Sequence, residues 1–352
     1  MRIAQVAPLA ESVPPRLYGG TERVVSVLTE ELVRLGHDVT LYASGDSQTS
    51  ARLISPWPRA LRLDSDVRDA LAPHILMLEY VIQQSHEFDV IHFHVSQFHF
   101  PSARRLAVGH VTTLHGRLDI PELVPLFHEF HDLPVVSISN AQRTPLPDAG
   151  WVATVPHGLP LDLLRFHRGP GEYLAFLGRI SPEKRVDRAI AIATRCGMPL
   201  RIAAKVDPAD RDYFEREIRQ LLDHPLVEYV GEISEAQKDE FLGNAAALLF
   251  PIDWPEPFGL VMIESLACGT PVVAFRGGSV AEVIDHGVTG FVVDSLEEAV
   301  GATCNIQTID RARCRAVFEK RFNVTRMAND YLGVYTQLGS RQSPAGVLTG
   351  AT

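Results

Sequence analysis

Two acidic side chains, Glu256 and Glu264, stand eight positions apart in the segment WPEPFGLVMIESLACGTPVVAF, which covers residues 254–275. Because Pro257 disfavours helical angles in the residue before it, we expect a helix to begin near Gly259. At about 1.5 Å per residue, the two carboxylates would lie on the order of 10 Å apart. This is more than the roughly 5–9.5 Å between the paired acids of glycosidases. The two acids are therefore predicted to hold separate parts of one long ligand.

The backbone just ahead of this helix could bind an anion. The amides of Phe258, Gly259 and Leu260 have no partners within the helix, and such amides attract phosphate groups. A nucleotide sugar fits this order of groups, with hydroxyls at both acids and a diphosphate between them. The structural alternative is a Glu256 that only balances the helix dipole and a Glu264 that is solvated.

Two cations, Arg179 and Lys184, follow one predicted strand and precede a predicted helix. Ligands bind at the carboxyl ends of parallel strands, where Arg and Lys suit a diphosphate as a fork and a point charge. Near the start of the chain, Gly19 and Gly20 precede Thr21 and a helix whose amides could face the same phosphate. Solvated loop charges and simple N-capping by Thr21 are the structural alternatives.

Strand-like and helix-like segments alternate along the chain in two series. The first series runs from RIAQVAP (2–8) to WVATVPHG (151–158), and the second from YLAFLGRI (173–180) to GFVVD (290–294). This rhythm is typical of parallel α/β sheets, so two series predict two doubly wound, Rossmann-like domains facing each other across a cleft. One of the predicted helices covers 207–222.

The predicted boundaries follow from where the pattern is interrupted. The segment DLLRFHRGPG, residues 162–171, breaks the rhythm with Arg, Gly and Pro, and thereby marks the join between the domains. We expect an acceptor-binding domain over 1–166, a nucleotide-sugar-binding domain over 167–321, a helix over 322–338 that packs back on the first domain, and a disordered tail over 339–352.

Composition excludes several classes of function. The net charge of -10 argues against a nucleic-acid-binding protein. No run of 18 apolar residues occurs, so no transmembrane segment is expected, and the first residues resemble a buried strand more than a secretory signal. The four cysteines form no Cys-x-x-Cys pattern, and we interpret them as scattered buried thiols of a cytoplasmic protein.

Taken together, these segments resemble the retaining glycosyltransferases of family 4, which have the GT-B fold. The resemblance covers residues 2–338 and depends on the shared order of its motifs. Those motifs are GGTE at 19–22, TLHG at 113–116, SISN at 137–140, VPHGLPLDLLRF at 155–166, Gly178-Arg179 with Lys184, and Glu256 with Glu264.

The resemblance implies a function and a role for each motif residue. The enzyme would be a hexosyltransferase that moves a sugar from a nucleotide diphosphate sugar, most simply a UDP-sugar, to an unidentified acceptor hydroxyl with retention of configuration. No cofactor or metal is expected, because the two cations would hold the diphosphate. The implied catalytic residues are His115, Glu256, Arg179 and Lys184; the implied donor-binding residues are Gly19, Gly20, Arg179, Lys184, Glu256, Phe258, Gly259, Leu260 and Glu264.

Three positions depart from the family pattern. Arg185 stands where the family usually has Gly, and His157 replaces a common Asn. The segment IAAKVD, residues 202–207, replaces a glycine-rich loop near the nucleotide base, where Lys205 could contact the nucleotide.

The sequence also allows competing functions. Alternate residues on a strand share a face, so His92 and His94, with His99 nearby, could begin a zinc hydrolase site. Cleft-lining or core histidines are the structural alternative. A nucleotide-sugar epimerase or a phosphorylase of GT-B shape would use the same fold for another reaction.

Overall fold

The computed structural model describes residues 1–16 and 19–341. A first sheet of seven parallel strands has the order β3-β2-β1-β4-β5-β6-β7. The strands are β1 Arg2–Val6, β2 Asp38–Tyr42, β3 Arg52–Ile54, β4 Val90–Phe93, β5 Gly109–Thr113, β6 Val135–Ser137 and β7 Trp151–Thr154. The inner strands are buried on both faces and are rich in Val and Ile, as expected for a parallel sheet covered by helices, whereas the edge strands β3 and β7 are only partly buried.

The second sheet contains six parallel strands in the order β10-β9-β8-β11-β12-β13. The strand order reverses beside β8, as it does beside β1 in the first sheet, and ligands of α/β folds bind at such switch points. The strands are β8 Tyr173–Arg179, β9 Leu200–Lys205, β10 Val227–Gly231, β11 Ala245–Phe250, β12 Val272–Phe275 and β13 Gly290–Val293.

Helices connect successive strands in both halves. The helices are α1 Gly20–Arg34, α2 Leu71–Gln83, α3 Phe100–Ala103, α4 Leu123–Glu129, α5 Asn140–Arg143, α6 Val186–Cys196, α7 Arg211–Tyr213, α8 Glu235–Gly243, α9 Leu260–Ala267, α10 Val280–Val283, α11 Leu296–Cys304, α12 Arg311–Arg321 and α13 Val324–Arg341. Some of the long ones, among them α1 and α6, carry one apolar stripe that packs on a sheet. No described helix is both long and apolar enough to cross a membrane.

The last helix, α13, lies against the first sheet. Tyr331 and Tyr335 are fully buried there, in a cluster with Ile3 and Val111. The described part of the helix reaches Arg341 and so includes residues 339–341 of the predicted tail. The rest of that predicted tail lies outside the described residues.

Two other expectations need correction. The segment predicted as one helix over 207–222 is helical but irregular, with successive 3₁₀, α and π turns between Pro208 and Asp223. Its side chains Phe214, Ile218 and Leu222 lie at helical spacing and pack on the core of the second half. The cysteines are not all scattered and buried: Cys304 is exposed and its Sγ lies 3.7 Å from that of Cys196.

Candidate active site

A cavity of about 540 Å³ lies between the carboxyl ends of the two sheets. Residues that follow β1 and β5 line one wall, and residues that follow β8, β9 and β11 line the other. All ten residues predicted to form the site line this cavity. They are Gly19, Gly20, His115, Arg179, Lys184, Glu256, Phe258, Gly259, Leu260 and Glu264.

Helix α9 begins at Leu260, with Gly259 as its N-cap, one residue after the predicted start. Gly259 has φ of 77°, a left-handed conformation that favours glycine. A Cβ at this position would lie 2.7 Å from the terminal methyl of Met262. The glycine therefore permits both the turn into the helix and the close packing beneath it.

Glu264 projects from α9 and is only 3% exposed, so the solvated alternative is wrong. Its carboxylate accepts a hydrogen bond of 2.6 Å from Lys238 Nζ. Burial raises the pKa of Glu264, but the charges of Lys238 and Arg23 outweigh burial and hold it below its usual value. Glu264 is therefore an ionised acceptor inside the cleft, suited to ribose hydroxyls.

Lys238 and Arg23 were not predicted from the sequence. Lys238 also approaches Glu235, at 3.3 Å, and Arg23 of α1 pairs with the same carboxylate from the other side of the cleft. The sequence gives only a weak indication of Lys238, which is that lysines are few in this chain. Lys238 lies on α8, and only the fold shows which residues are close to that helix.

Glu256 pairs with Lys184 and accepts a hydrogen bond of 2.9 Å from Trp254 Nε1. The Lys184 ammonium lies 4.8 Å from the centre of the Trp254 ring and 5.6 Å from that of Phe250, both distances typical of cation–π contacts. Glu256 is 8% exposed. Its partners are a lysine from the loop between β8 and α6 and a tryptophan from its own loop, so a role limited to balancing the helix dipole does not account for them.

Arg179 lies at the end of β8 among three acids. It pairs with Glu183, and its guanidinium lies 3.6 Å from Asp207 and 3.4 Å from Asp210. Lys205, the candidate nucleotide contact, pairs with Asp207 at 2.9 Å. A diphosphate that enters the cleft thus meets cations already oriented by carboxylates.

The glycine pair forms the opposite wall. A Cβ on Gly19 would lie 2.7 Å from Pro15 Cβ, and one on Gly20 would lie 3.6 Å from Leu260 Cδ1. The N-terminus of α1 therefore faces the N-terminus of α9 across the cavity. Two such termini bring two sets of free amides and two positive dipole ends to one space.

His115 is partly exposed at the cleft, and its Nε2 lies 2.8 Å from Nδ1 of His94. Its Nδ1 is buried and has no hydrogen-bond partner among the described residues. Burial lowers the pKa of His115 to about 3, so the ring is neutral at physiological pH. His157, the departure from the family Asn, stacks on this ring at 5.3 Å.

The other clustered histidines are engaged in hydrogen bonds. His92 contacts the hydroxyls of Tyr335 and Thr113, each at 2.7 Å, and His99 contacts Thr112 at 2.7 Å. Within residues 1–16 and 19–341, no group of three or more His, Cys, Asp or Glu side chains is arranged to hold a metal ion. These contacts favour core histidines over the zinc alternative.

Arg185 has φ of 53° and ψ of 51°, the left-handed conformation that glycine adopts most readily. This backbone conformation explains why the family usually has glycine at this position. Here Asp187 and Asp253 hold the guanidinium instead, at 2.7 and 3.0 Å.

Comparison with known families agrees with this geometry. Residues 18–193 match the family described as Glycosyltransferase Family 4, and residues 166–302 match Glycosyl transferases group 1. The chain belongs to glycosyltransferase family 4. It is an enzyme of this retaining family, with the GT-B fold and a nucleotide-sugar donor.

Individual relatives of this transferase differ in what they act on. It is 25% identical over 336 residues to alpha-maltose-1-phosphate synthase of Mycolicibacterium smegmatis, covering 82% of this chain and 84% of that one. A phosphatidyl-myo-inositol mannosyltransferase of the same organism is 25% identical over 350 residues, covering 89% and 86%. The first name states a product and the second a phosphatidyl-myo-inositol substrate, so the family alone does not identify the acceptor here.

Solved structures share the whole fold. A glycosyltransferase involved in avilamycin A biosynthesis superposes with a TM-score of 0.75 and 24% identity, covering 96% of this chain and 98% of that one. The Anabaena protein HepE in complex with UDP and glucose gives a TM-score of 0.73 at 17% identity, covering 96% and 100%.

Proposed function

We propose that this enzyme transfers a hexose from UDP-hexose to an acceptor hydroxyl with retention of configuration and without a metal ion. The strongest support is the lining of one cavity by groups from both halves of the chain. These groups are two cations, two helix N-termini and two buried acids. The complexes of the structural neighbour HepE with UDP and UDP-glucose support the choice of base and sugar.

The proposed role of each residue follows from its position along the cleft. Glu264 accepts hydrogen bonds from the ribose hydroxyls, Arg179 and Lys184 bind the diphosphate, and Glu256 with the amides of Phe258 and Gly259 holds the sugar. His115 contacts the sugar beside the reaction centre. Gly19 and Gly20 lie beneath the phosphates, where a side chain would obstruct them.

Cleavage of the bond between sugar and diphosphate leaves negative charge on the β-phosphate. Fixed cations and helix amides stabilise this charge as it develops, and such groups typically contribute about 10²–10³ in turnover. The leaving phosphate accepts the proton of the acceptor hydroxyl, which attacks the same face of the sugar. No carboxylate nucleophile is required, which agrees with a Glu256 that is occupied by Lys184 and Trp254.

Release of UDP from UDP-glucose in EDTA tests this assignment. Arg179→Ala should lower kcat by about 10²-fold, because it removes a cation from the β-phosphate. Arg185→Ala is the matched control, because Arg185 is another loop cation six positions on that does not line the cavity. Its variant should retain most of the turnover. Equal kinetics for wild type and Arg179→Ala would exclude the proposed phosphate site.

A further inference from the structure

Trp254 is not one of the predicted site residues, although it lines the cavity and contacts two residues that are. Its indole Nε1 donates a hydrogen bond of 2.9 Å to Oε2 of Glu256. The Lys184 ammonium lies 4.8 Å from the centre of its ring, and Cζ of Arg117, from the first half of the chain, lies 5.6 Å from it. One side chain therefore touches both a proposed diphosphate cation and the proposed sugar-binding acid.

The two carboxylate oxygens of Glu256 have different surroundings. Oε2 accepts hydrogen bonds from both Lys184 Nζ and Trp254 Nε1. Oε1 has no hydrogen-bond partner among the described residues. It is also not one of the side-chain atoms that are closed off from solvent without a partner. Because Glu256 lines the cavity, Oε1 is the oxygen that a ligand hydroxyl can reach.

Lys184 has two kinds of partner when a diphosphate is bound. Its ammonium carries three N–H donors, and in the described part of the chain Glu256 is its one hydrogen-bond acceptor. The other donors are therefore available to phosphate oxygens, which compete with Glu256 for the positive charge. The Trp254 N–H is neutral and stays on Oε2. It holds the carboxylate in place while the ammonium turns to the phosphate.

The backbone on both sides of Trp254 is held by other loops. The amide of Asp253 donates to the carbonyl of Glu183, in the loop after β8, at 2.8 Å. The amide of Ser279 donates to the carbonyl of Glu256 at 2.9 Å. The indole is therefore presented from a fixed backbone to both of its partners.

We propose that Trp254 is a positioning residue for the sugar donor. Its N–H fixes Glu256 so that Oε1 is left for the sugar hydroxyls, and its ring supports the Lys184 ammonium beside the diphosphate. The two groups of one side chain thus act on two parts of the donor. This inference rests on the proposed function for the identity of the ligand, whereas the contact between Trp254 and Glu256 is independent of any ligand.

The contact is measured by ¹H–¹⁵N NMR of the whole protein labelled at the tryptophan indoles. The chain has three tryptophans, so Trp57→Phe and Trp151→Phe identify the Trp254 signal by elimination. A hydrogen bond to a carboxylate shifts the indole proton downfield. We therefore expect Glu256→Ala to move the Trp254 signal upfield and to leave the other two in place. An unchanged Trp254 signal in Glu256→Ala would overturn the proposal, even if variants of Trp254 do not fold.

Calorimetric binding separates the two groups of the side chain. Trp254→Phe removes the N–H but keeps a ring, so affinity for UDP-glucose should fall about tenfold and affinity for UDP, which has no hexose, should stay within about twofold. Trp254→Leu removes the ring as well and should also weaken UDP binding by about threefold. Trp151→Phe is the matched control, because its N–H donates at 2.7 Å to the Leu146 carbonyl, away from the cavity, and it should bind as wild type does. Equal losses of UDP affinity in both Trp254 variants would overturn the separate role of the ring.

A double-mutant cycle distinguishes positioning from a merely structural role. If the N–H acts through Glu256, Trp254→Phe should lower the affinity for UDP-glucose about tenfold alone but by less than about twofold in Glu256→Ala. Additive losses would show that Trp254 acts independently of Glu256 and would overturn the proposal. If wild type binds neither UDP nor UDP-glucose, the proposed function fails, while the indole signal still decides the contact.

Discussion

Glu264 shows which properties of a single residue could be predicted from the sequence and which could not. Its distance along the sequence from Glu256 indicated a separate role, and both side chains do line one cavity. The state of Glu264 could not be predicted, because Lys238 and Arg23 reach it from other elements and outweigh the effect of burial on its pKa. The order of motifs is a property of the sequence, whereas these charge partners arise only when helices pack.

Glu264→Gln should weaken UDP binding by tenfold or more. A hydrogen bond to a charged group contributes about 1.5–3 kcal/mol, and the neutral amide removes that charge from the ribose contact. Isothermal titration calorimetry measures the change. Glu297→Gln, at an exposed ion pair with Arg195, is the matched control and should bind UDP as wild type does. Unchanged affinity in Glu264→Gln would remove this residue from the donor site.

At the scale of elements, alternation of apolar segments predicted both sheets, because buried parallel strands have a strong sequence pattern. The segment 207–222 shows where this approach fails. Its apolar residues Phe214, Ile218 and Leu222 recur at helical spacing and pack on the core, which is why the pattern predicted one helix. That spacing does not indicate the π turn over Phe214–Ile218, which interrupts the regular helix. Helix α2, Leu71–Gln83, lacks a single apolar stripe, because its apolar residues include the exposed Leu71 and Ile75.

The loop between β8 and α6 gives a prediction about backbone strain. Arg185→Gly should be more stable than Arg185→Ala by about 1 kcal/mol, because both lose the same ion pairs but only glycine adopts positive φ without strain. Urea unfolding measures the difference. Arg188 is the matched control: it also pairs with Asp253, but it lies inside α6, where Ala should be the more stable replacement. The same order at both positions would contradict the assigned conformation.

At the scale of the whole molecule, the two halves meet through contacts that no local sequence pattern predicts. Glu282 of α10 accepts hydrogen bonds from the amides of Asn140 and Ala141 at 2.8 and 2.7 Å, and Ser139 donates to the Pro257 carbonyl at 2.7 Å. Motifs from both halves indicated that the halves share one site. The atoms that join them are separated by more than a hundred residues, so only the fold reveals them. The division at residues 166 and 167 stays a prediction.

The buried histidines predict acid sensitivity. Burial lowers the pKa of His92, His94, His99, His115 and His157 in the folded protein. Below the unfolded value of about 6.5, the unfolded chain binds more protons than the folded one, so stability falls as the pH falls. Each ring should cost about 1.4 kcal/mol between pH 7.5 and 5.5.

Urea unfolding at these two pH values measures that loss. His99→Gln removes one such ring away from the cleft and should make the pH dependence shallower by about 1.4 kcal/mol. A free energy of unfolding that is equal at pH 7.5 and 5.5 would contradict the buried, neutral state of these rings.

The most direct test of the central claim is a thermal-shift measurement with UDP, GDP and ADP, each with and without EDTA. A nucleotide at 100 times its dissociation constant should stabilise the protein by about 2.7 kcal/mol, which is easily visible. We predict stabilisation by UDP that EDTA does not change. Absence of a shift with all three nucleotides, together with a large loss of stability in EDTA alone, would contradict a metal-independent transferase and favour a metal site at the histidine cluster.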